Sequence, residues 1–183
     1  MRVMGLDPGS IRAGFGIIEY SKSRFIHINS GSIVMTEGES MPQRLHSLYK
    51  DLKTLMERYQ PDEFAIESVF FSRNAQSALK LGQARGVALL AAAEFGIHVS
   101  EYSPTEIKAS VCGSGRADKA QVQHMVRYLM KLKPAFEYSS PDHADALAIC
   151  LAHGQTQLSR VWRENDRSPK RKNNSQKPQP IHH

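Results

Sequence analysis

The chain has few cysteines and no long apolar segment. Its two cysteines, Cys112 and Cys150, have no Cys-x-x-Cys spacing, so a disulfide scaffold and a zinc finger are both excluded as the basis of the fold. The longest unbroken apolar runs span seven residues, as at 87–93, whereas a membrane-spanning helix needs about 20. No basic segment followed by an apolar one opens the chain. We therefore expect a cytoplasmic protein that does not contact a membrane.

Positive charge is concentrated at one end of the 183 residues. The net charge is +6, and the seven Lys or Arg and two Asp or Glu of residues 160–183 contribute +5 of it. Beyond Leu158 the sequence is rich in Pro, Lys, Asn and Gln and has no apolar periodicity, which is typical of disorder. We expect one domain at 1–158 followed by a basic, disordered tail at 159–183. The basic pI near 9.4 is therefore weak evidence that the domain itself binds nucleic acid.

The apolar pattern changes period along the domain and predicts an α/β fold. Strands are predicted at 2–6, 14–20, 25–35, 62–67 and 98–102. Helices are predicted at 41–56, 74–95, 104–112, 118–130 and 141–153. The first three strands form an antiparallel meander, and the fourth returns after a helix as a parallel neighbour of the first. The result is a five-stranded mixed sheet flanked by helices.

The composition of the long helix at 74–95 indicates how it packs. Asn74 is a suitable N-cap, and residues 87–93 are apolar on every side, so we expect this half to be covered all round. Gly82 and Gly86 would allow another backbone to approach closely. The helix is either central to the core or part of a subunit interface.

Four carboxylates are predicted to meet at one edge of the sheet. Asp7 and Glu67 end the first and fourth strands, and the carboxyl ends of strands border the ligand crevice in open α/β sheets. Asp142 and Asp145 lie three residues apart on one face of the last helix. Each has an ordinary explanation alone, such as a turn, an exposed strand end or a helix N-terminus.

The combination indicates a metal site. Packed carboxylates repel and raise one another's pKa unless cations lie between them. An all-oxygen cluster suits Mg²⁺ or Mn²⁺ better than zinc, and two such ions can stabilise the attacking and leaving oxygens of a phosphoryl displacement. The chemistry that this pattern favours is metal-dependent phosphodiester hydrolysis.

Several motifs resemble those of the Holliday-junction resolvase RuvC family, in the same order along residues 1–155. They are Gly5-Leu6-Asp7-Pro8-Gly9-Ser10 with Gly14-Phe15-Gly16, Ala65-Ile66-Glu67-Ser68-Val69-Phe70, the long run at 74–86, the run at 119–126, and Asp142-His143-Ala144-Asp145-Ala146-Leu147-Ala148. The long run at 74–86 is the most specific of them.

The resemblance implies a ribonuclease H-like fold and an endonuclease that resolves four-way DNA junctions by paired symmetric nicks, in recombination and repair. It implies a homodimer, two Mg²⁺ ions per site, for which Mn²⁺ would substitute, and a branch-migration complex, RuvA-RuvB, as a partner. Asp7, Glu67, Asp142 and Asp145 match the family's metal-binding acids. Some members have a histidine at the first position of the closing pair; here His143 follows Asp142, and we expect it behind the ligands or on the surface.

Basic and aromatic residues near these acids are candidates for DNA contact, since phosphates must be held there. Lys108 and Lys119 match basic positions of the family, and Lys119 would offset charge on the reacting phosphate. Phe70 matches a stacking aromatic, and Phe71 is assigned to packing. The remaining DNA-binding candidates are Arg73, Lys80, Arg85 and Arg116.

Other functions fit less well. An actin-like nucleotide-binding fold shares the Asp7-Pro8-Gly9-Ser10 loop but needs a second such loop, which this sequence lacks. A junction-binding protein without catalysis would not need all four acids. The closest alternative is a general ribonuclease H-type nuclease that acts on other branched or hybrid substrates.

Overall fold

The computed structural model describes residues 1–22, 24–68, 74–133 and 141–167, with the backbone alone at 141 and 159–167. The strands are β1 (Arg2–Asp7), β2 (Arg12–Ser21), β3 (Arg24–Val34), β4 (Glu63–Glu67) and β5 (His98–Tyr102). The helices are α1 (Met41–Tyr59), α2 (Ala75–Glu94), α3 (Pro104–Cys112), α4 (Lys119–Leu129) and α5 (Pro141–Arg167). The predicted order of elements is confirmed.

The five strands form one mixed sheet in the order β3-β2-β1-β4-β5. β1, β2 and β3 are antiparallel neighbours, and Asp7 of β1 lies opposite Gly14 of β2. β4 is parallel to β1, with Leu6 opposite Ile66, and β5 is parallel to β4. The carboxyl ends of β1 and β4 therefore meet at the same edge, as predicted.

Side-chain caps fix where the helices that border this edge begin. Asn74 Oδ1 accepts hydrogen bonds from the backbone N–H of Gln76 and Ser77, at 2.9 and 3.3 Å, which confirms its assignment as the N-cap of α2. Ser103 and Glu106 form a capping box at the start of α3, with Pro104 in the first turn. The Asp118 carboxylate accepts from Gln121 N at 2.8 Å and starts α4. These caps place the first turns of α3 and α4 beside the strand ends.

The sheet is buried between two layers of helices. α1 and α2 pack on one face, where the fully buried residues include Leu48, Leu52, Met56, Phe64 and Ala88. α3, α4 and α5 pack on the other face, where the buried residues include Val122, Val126, Leu147, Ile149 and Leu151. Of the helices described, none is long and apolar enough to span a membrane.

α2 is not covered on every side, contrary to the sequence expectation. Ala84, Ala88, Ala91 and Ala92 face the core, but the side chains of Leu79 and Leu90 are 69% and 63% exposed. A Cβ added at Gly82 or Gly86 would contact nothing within 4 Å. One face of this helix is therefore open in the single chain.

α5 is longer than the sequence pattern predicted. The pattern ended the helix at His153, before Gly154, whereas the structure continues it to Arg167. Gly154 is buried, and a Cβ there would lie 3.3 Å from Phe25 Cζ, so the glycine serves close packing on β3 rather than a helix end. The helix therefore extends into residues 159–167, which the sequence pattern assigned to the tail. The division into a nuclease domain and a tail stays a prediction.

Candidate active site

The sheet and α5 bring the predicted acids together. Asp7 is the last residue of β1 and Glu67 the last of β4, on neighbouring parallel strands. Asp142 and Asp145 lie one turn apart at the start of α5, which crosses this edge of the sheet. Asp142 favours the helix electrostatically because it lies at the positive end of the helix dipole.

Glycines in the strands let α5 lie directly on the sheet. A Cβ at Gly14 would collide with the carbonyl oxygen of Asp142 and lie 3.0 Å from its Cβ. A Cβ at Gly5 would lie 2.6 Å from both Ala146 O and Cys150 Sγ. Gly14 pairs with Asp7 across the β1–β2 ladder. The contact between Gly14 and Asp142 therefore sets how close Asp142 comes to Asp7.

Three of the four acids line one cavity of about 280 Å³. Its polar lining consists of Asp7, Glu67, Asp145, Lys108 and Lys119, and its apolar lining of Pro104, Ile107, Val122 and Ala148. α3 supplies Lys108 and α4 supplies Lys119. A lysine in the first turn of a helix opposes the helix dipole, so helix stability does not explain the position of Lys119.

The acids disfavour one another's ionisation. Burial, followed by the charges of Glu67, Asp145 and Asp142, raises the pKa of Asp7 from 3.8 to about 7. Burial and the charge of Asp145 also raise the pKa of Glu67, against the opposing effect of Lys108. The pocket therefore carries more negative charge than its own groups neutralise.

Two basic side chains of the chain hold the acids of α5. Lys119 Nζ donates to Asp145 Oδ2 at 2.7 Å, and this hydrogen bond raises the pKa of Lys119. Arg12 Nε lies 3.9 Å from Asp142 Oδ2. Sequence reasoning missed Arg12, which is the first residue of β2, because its pairing with a residue 130 positions away leaves no local signal.

His143 is buried rather than on the surface, with 7% of its area exposed. Burial lowers its pKa, and the nearby guanidinium of Arg12 acts in the same direction, against the charge of Asp142. The surface placement is therefore wrong, and His143 lies behind the acids of α5.

The donor set fits a hard divalent cation, although no ligand shell is preassembled. Among the residues described, no three His, Cys, Asp or Glu side chains stand where they would ligate one ion. Asp145 and Asp142 are instead turned to Lys119 and Arg12. All-oxygen donors in excess of nearby positive charge are what Mg²⁺ or Mn²⁺ requires.

The other predicted DNA-binding residues lie apart from the cavity or outside the described residues. Lys80 is half-buried on α2. Arg85 is 21% exposed and forms an ion pair with Glu101 of β5, a placement that favours a structural role. Arg116 lines a separate cavity on the outer side of α4. Phe70, Phe71 and Arg73 lie outside the part of the chain that the structure describes.

A mixed sheet of this order, with acids at the ends of β1 and β4 and on the crossing helix, defines the chain as a ribonuclease H-like nuclease. The family model of crossover junction endodeoxyribonuclease RuvC matches residues 3–153, and the chain belongs to this family of metal-dependent nucleases.

Relatives and solved structures agree with this assignment. The crossover junction endodeoxyribonuclease RuvC of Saccharophagus degradans is 49% identical over 159 residues, which cover 87% of this chain and 90% of the relative. The structure of Thermus thermophilus RuvC in complex with a Holliday junction substrate is 31% identical, with a TM-score of 0.81 over 88% of this chain and 97% of that one. The yeast mitochondrial Holliday junction resolvase Ydc2 shares the fold at 16% identity, with a TM-score of 0.62 over 90% of this chain and 85% of that one.

Proposed function

We propose that the chain resolves four-way DNA junctions by paired nicks, with Asp7, Glu67, Asp142 and Asp145 holding two Mg²⁺ ions. The observation that carries the proposal is the electrostatics of Asp7, whose pKa near 7 reflects burial beside three other carboxylates. Such a pocket binds divalent cations readily and repels phosphates until it does. The Holliday junction bound to the T. thermophilus relative supports the choice of substrate.

The residues around the cavity would have different roles in the reaction. The four acids would hold the ions, and bound Mg²⁺ would supply activation of water and stabilisation of the leaving oxygen. The ammonium of Lys119, on the rim beside Asp145, would offset negative charge on the reacting phosphate. Lys108 lines the same cavity and would hold an adjacent phosphate. The predicted stacking of Phe70 on a base is part of the proposal.

A homodimer would explain paired cuts, because two sites related by a two-fold axis face two like strands of a nearly symmetric junction. The open face of α2 supports this assembly. Leu79, Gly82, Gly86 and Leu90 follow one another at spacings of three and four residues, so they lie on one side of the helix. The exposure of both leucines in the single chain would be removed in the dimer. The RuvA-RuvB partner and the cytoplasmic location rest on the family resemblance.

The test is nicking of a synthetic four-way junction by the wild-type protein and by Asp7→Asn, with and without Mg²⁺. We expect Mg²⁺-dependent, symmetric nicks from the wild-type protein, and binding without nicking from Asp7→Asn. Unchanged cleavage by the variant would exclude Asp7 as a ligand. Three-way junctions and RNA–DNA hybrids serve as comparison substrates, and equal rates on all of them would favour the general ribonuclease H-type alternative.

A further inference from the structure

The outer face of α4 carries a groove that the proposed catalytic role does not use. A cavity of about 600 Å³ is lined by Cys112, Ser114, Arg116, Ala117, Ala120, Gln121, His124 and Met125. A second cavity, of about 630 Å³, is lined by His124, Arg127, Tyr128, Leu129, Lys131 and Leu132. The two share His124 and so form one continuous track, which we name the α4 track, from Arg116 to Lys131.

The charge of the α4 track differs from that of the rest of the domain. Its described lining contains Arg116, Arg127 and Lys131 besides His124, and none of these lining residues is Asp or Glu. Residues 1–159 as a whole carry a net charge of only +1. The concentration of positive charge along one groove is therefore a local feature, and it is complementary to a polyanion.

An aromatic ring stands among these cations. His124, Arg127 and Tyr128 follow the helical spacing of one face, opposite the buried Val122 and Val126, and Lys131 lies just beyond the end of the helix. The side chain of Tyr128 is 70% exposed, so core packing does not account for it. Exposed aromatic rings interleaved with Lys and Arg are typical of surfaces that bind nucleic acid.

Helix α4 connects the α4 track with the candidate active site. α4 begins at Lys119, whose ammonium lies on Asp145, and its 11 residues extend about 16 Å at about 1.5 Å per residue. One DNA strand covers this length in about five nucleotides at about 3.4 Å each. We propose that the α4 track binds the backbone of a DNA arm about five nucleotides from the cleaved phosphate. This inference rests on the proposed function, because it concerns the same substrate.

The experiment is a double-mutant cycle that combines one change in the protein with one change in the DNA. The affinity for the junction is measured as a function of salt concentration, in the cleavage-deficient Asp7→Asn protein. Lys131→Gln removes one cation of the α4 track, and methylphosphonates at four to six nucleotides from the cleaved position remove the phosphates it would contact. We expect each change alone to weaken binding several-fold, and the two together to weaken it no further than one alone. Lys131→Gln should also reduce the salt slope by about 0.9.

Two further variants sharpen the test. Tyr128→Ala should weaken binding, whereas Tyr128→Phe, which keeps the ring, should not. Lys50→Gln is the matched control, since Lys50 is exposed on α1, on the opposite layer, and it should leave affinity and slope unchanged. Thermal melting verifies that each variant is folded.

Wild-type affinity and salt slope for Lys131→Gln, or fully additive losses in the cycle, would overturn the inference, and the α4 track would then be assigned to a protein partner. This outcome differs from failure of the proposed function, which would appear as wild-type protein that does not nick the unmodified junction.

Discussion

Asp7 is the residue on which the proposed chemistry of the site depends. It ends β1, it is half-buried, and it faces the negative charges of Glu67, Asp142 and Asp145. In the protein without a divalent cation these features favour the protonated carboxyl, which is a poor ligand. Binding of a cation reverses the preference, because the cation stabilises the charged form. Metal binding and ionisation of Asp7 should therefore be coupled.

This coupling predicts the pH dependence of stability in the metal-free protein. The pKa of Asp7 is about 7 in the folded chain against 3.8 ordinarily, so the folded state binds the proton more tightly. The resulting stabilisation is complete below about pH 4 and is lost as the pH rises through about 7. With EDTA present, wild-type protein should lose a few degrees of Tm relative to Asp7→Asn between pH 4.5 and 8.

Thermal melting of both proteins across this range measures the effect, and Asp7→Asn serves as the reference because it cannot ionise. Addition of Mg²⁺ at pH 8 should raise the Tm of the wild-type protein more than that of the variant. A difference in Tm that stays constant from pH 4.5 to 8 would contradict the assigned electrostatics.

At the residue scale, the sequence predicted which acids meet but not how they are held. Position at strand ends and on one helix face was sufficient to choose Asp7, Glu67 and Asp145. The pairing of Arg12 with Asp142 and the burial of His143 depend on how α5 lies across β2 and β3. Such contacts between distant segments leave no periodic signal in a single sequence.

At the scale of elements, α5 determines the site because it carries two of the acids. Its close approach to the sheet depends on strand glycines, and Gly14 contacts Asp142 itself. The strands, the parallel pairing of β1 with β4 and the caps were predictable from apolar period and turn chemistry. The length of α5 was not predictable. A glycine commonly marks the end of a helix, but Gly154 lies within α5 and packs against Phe25.

We predict that Gly14→Ala lowers the junction nicking rate by at least about tenfold, because the added methyl group displaces Asp142. Gly16→Ala is the matched control: its Cβ would lie 3.0 Å from Leu147 Cδ2 and does not meet either acid. Overpacking should cost both variants about 1–3 kcal/mol of unfolding free energy. Nicking assays well below both melting temperatures, together with denaturant unfolding, separate the two effects. Equal nicking rates for the two variants would show that Gly14 does not position the acid.

At the scale of the whole molecule, the described part of the chain has a candidate active site at one edge of the sheet and an open apolar face on α2. Under the proposed function a junction needs two cuts, and the apolar face of α2 is the surface proposed to bring two sites together. Leu79 and Leu90 are large and exposed, whereas the other layer of helices, α3 to α5, carries the catalytic edge. The proposed catalytic site and the proposed subunit interface thus lie on opposite layers of the sheet.

We predict that Leu90→Lys yields a monomer that has lost paired cleavage, because a charge would be buried in the subunit interface. Sedimentation velocity measures the association state, and a cruciform plasmid reports the cuts: paired nicks linearise it, whereas single nicks leave an open circle. Val34→Lys is the control, since Val34 is also an exposed apolar residue but lies on β3. A dimeric Leu90→Lys protein that still linearises the plasmid would rule out this face as the interface.

The central claim is that the four acids form one divalent-cation site, and anomalous diffraction from crystals grown with Mn²⁺ tests it most directly. We expect Mn²⁺ peaks within about 2.5 Å of carboxylate oxygens of Asp7, Glu67, Asp142 and Asp145, with Lys119 turned away from Asp145. Saturating Mn²⁺ that gives no peak among these oxygens, in a protein that still nicks junctions, would show that the four acids do not form the metal site.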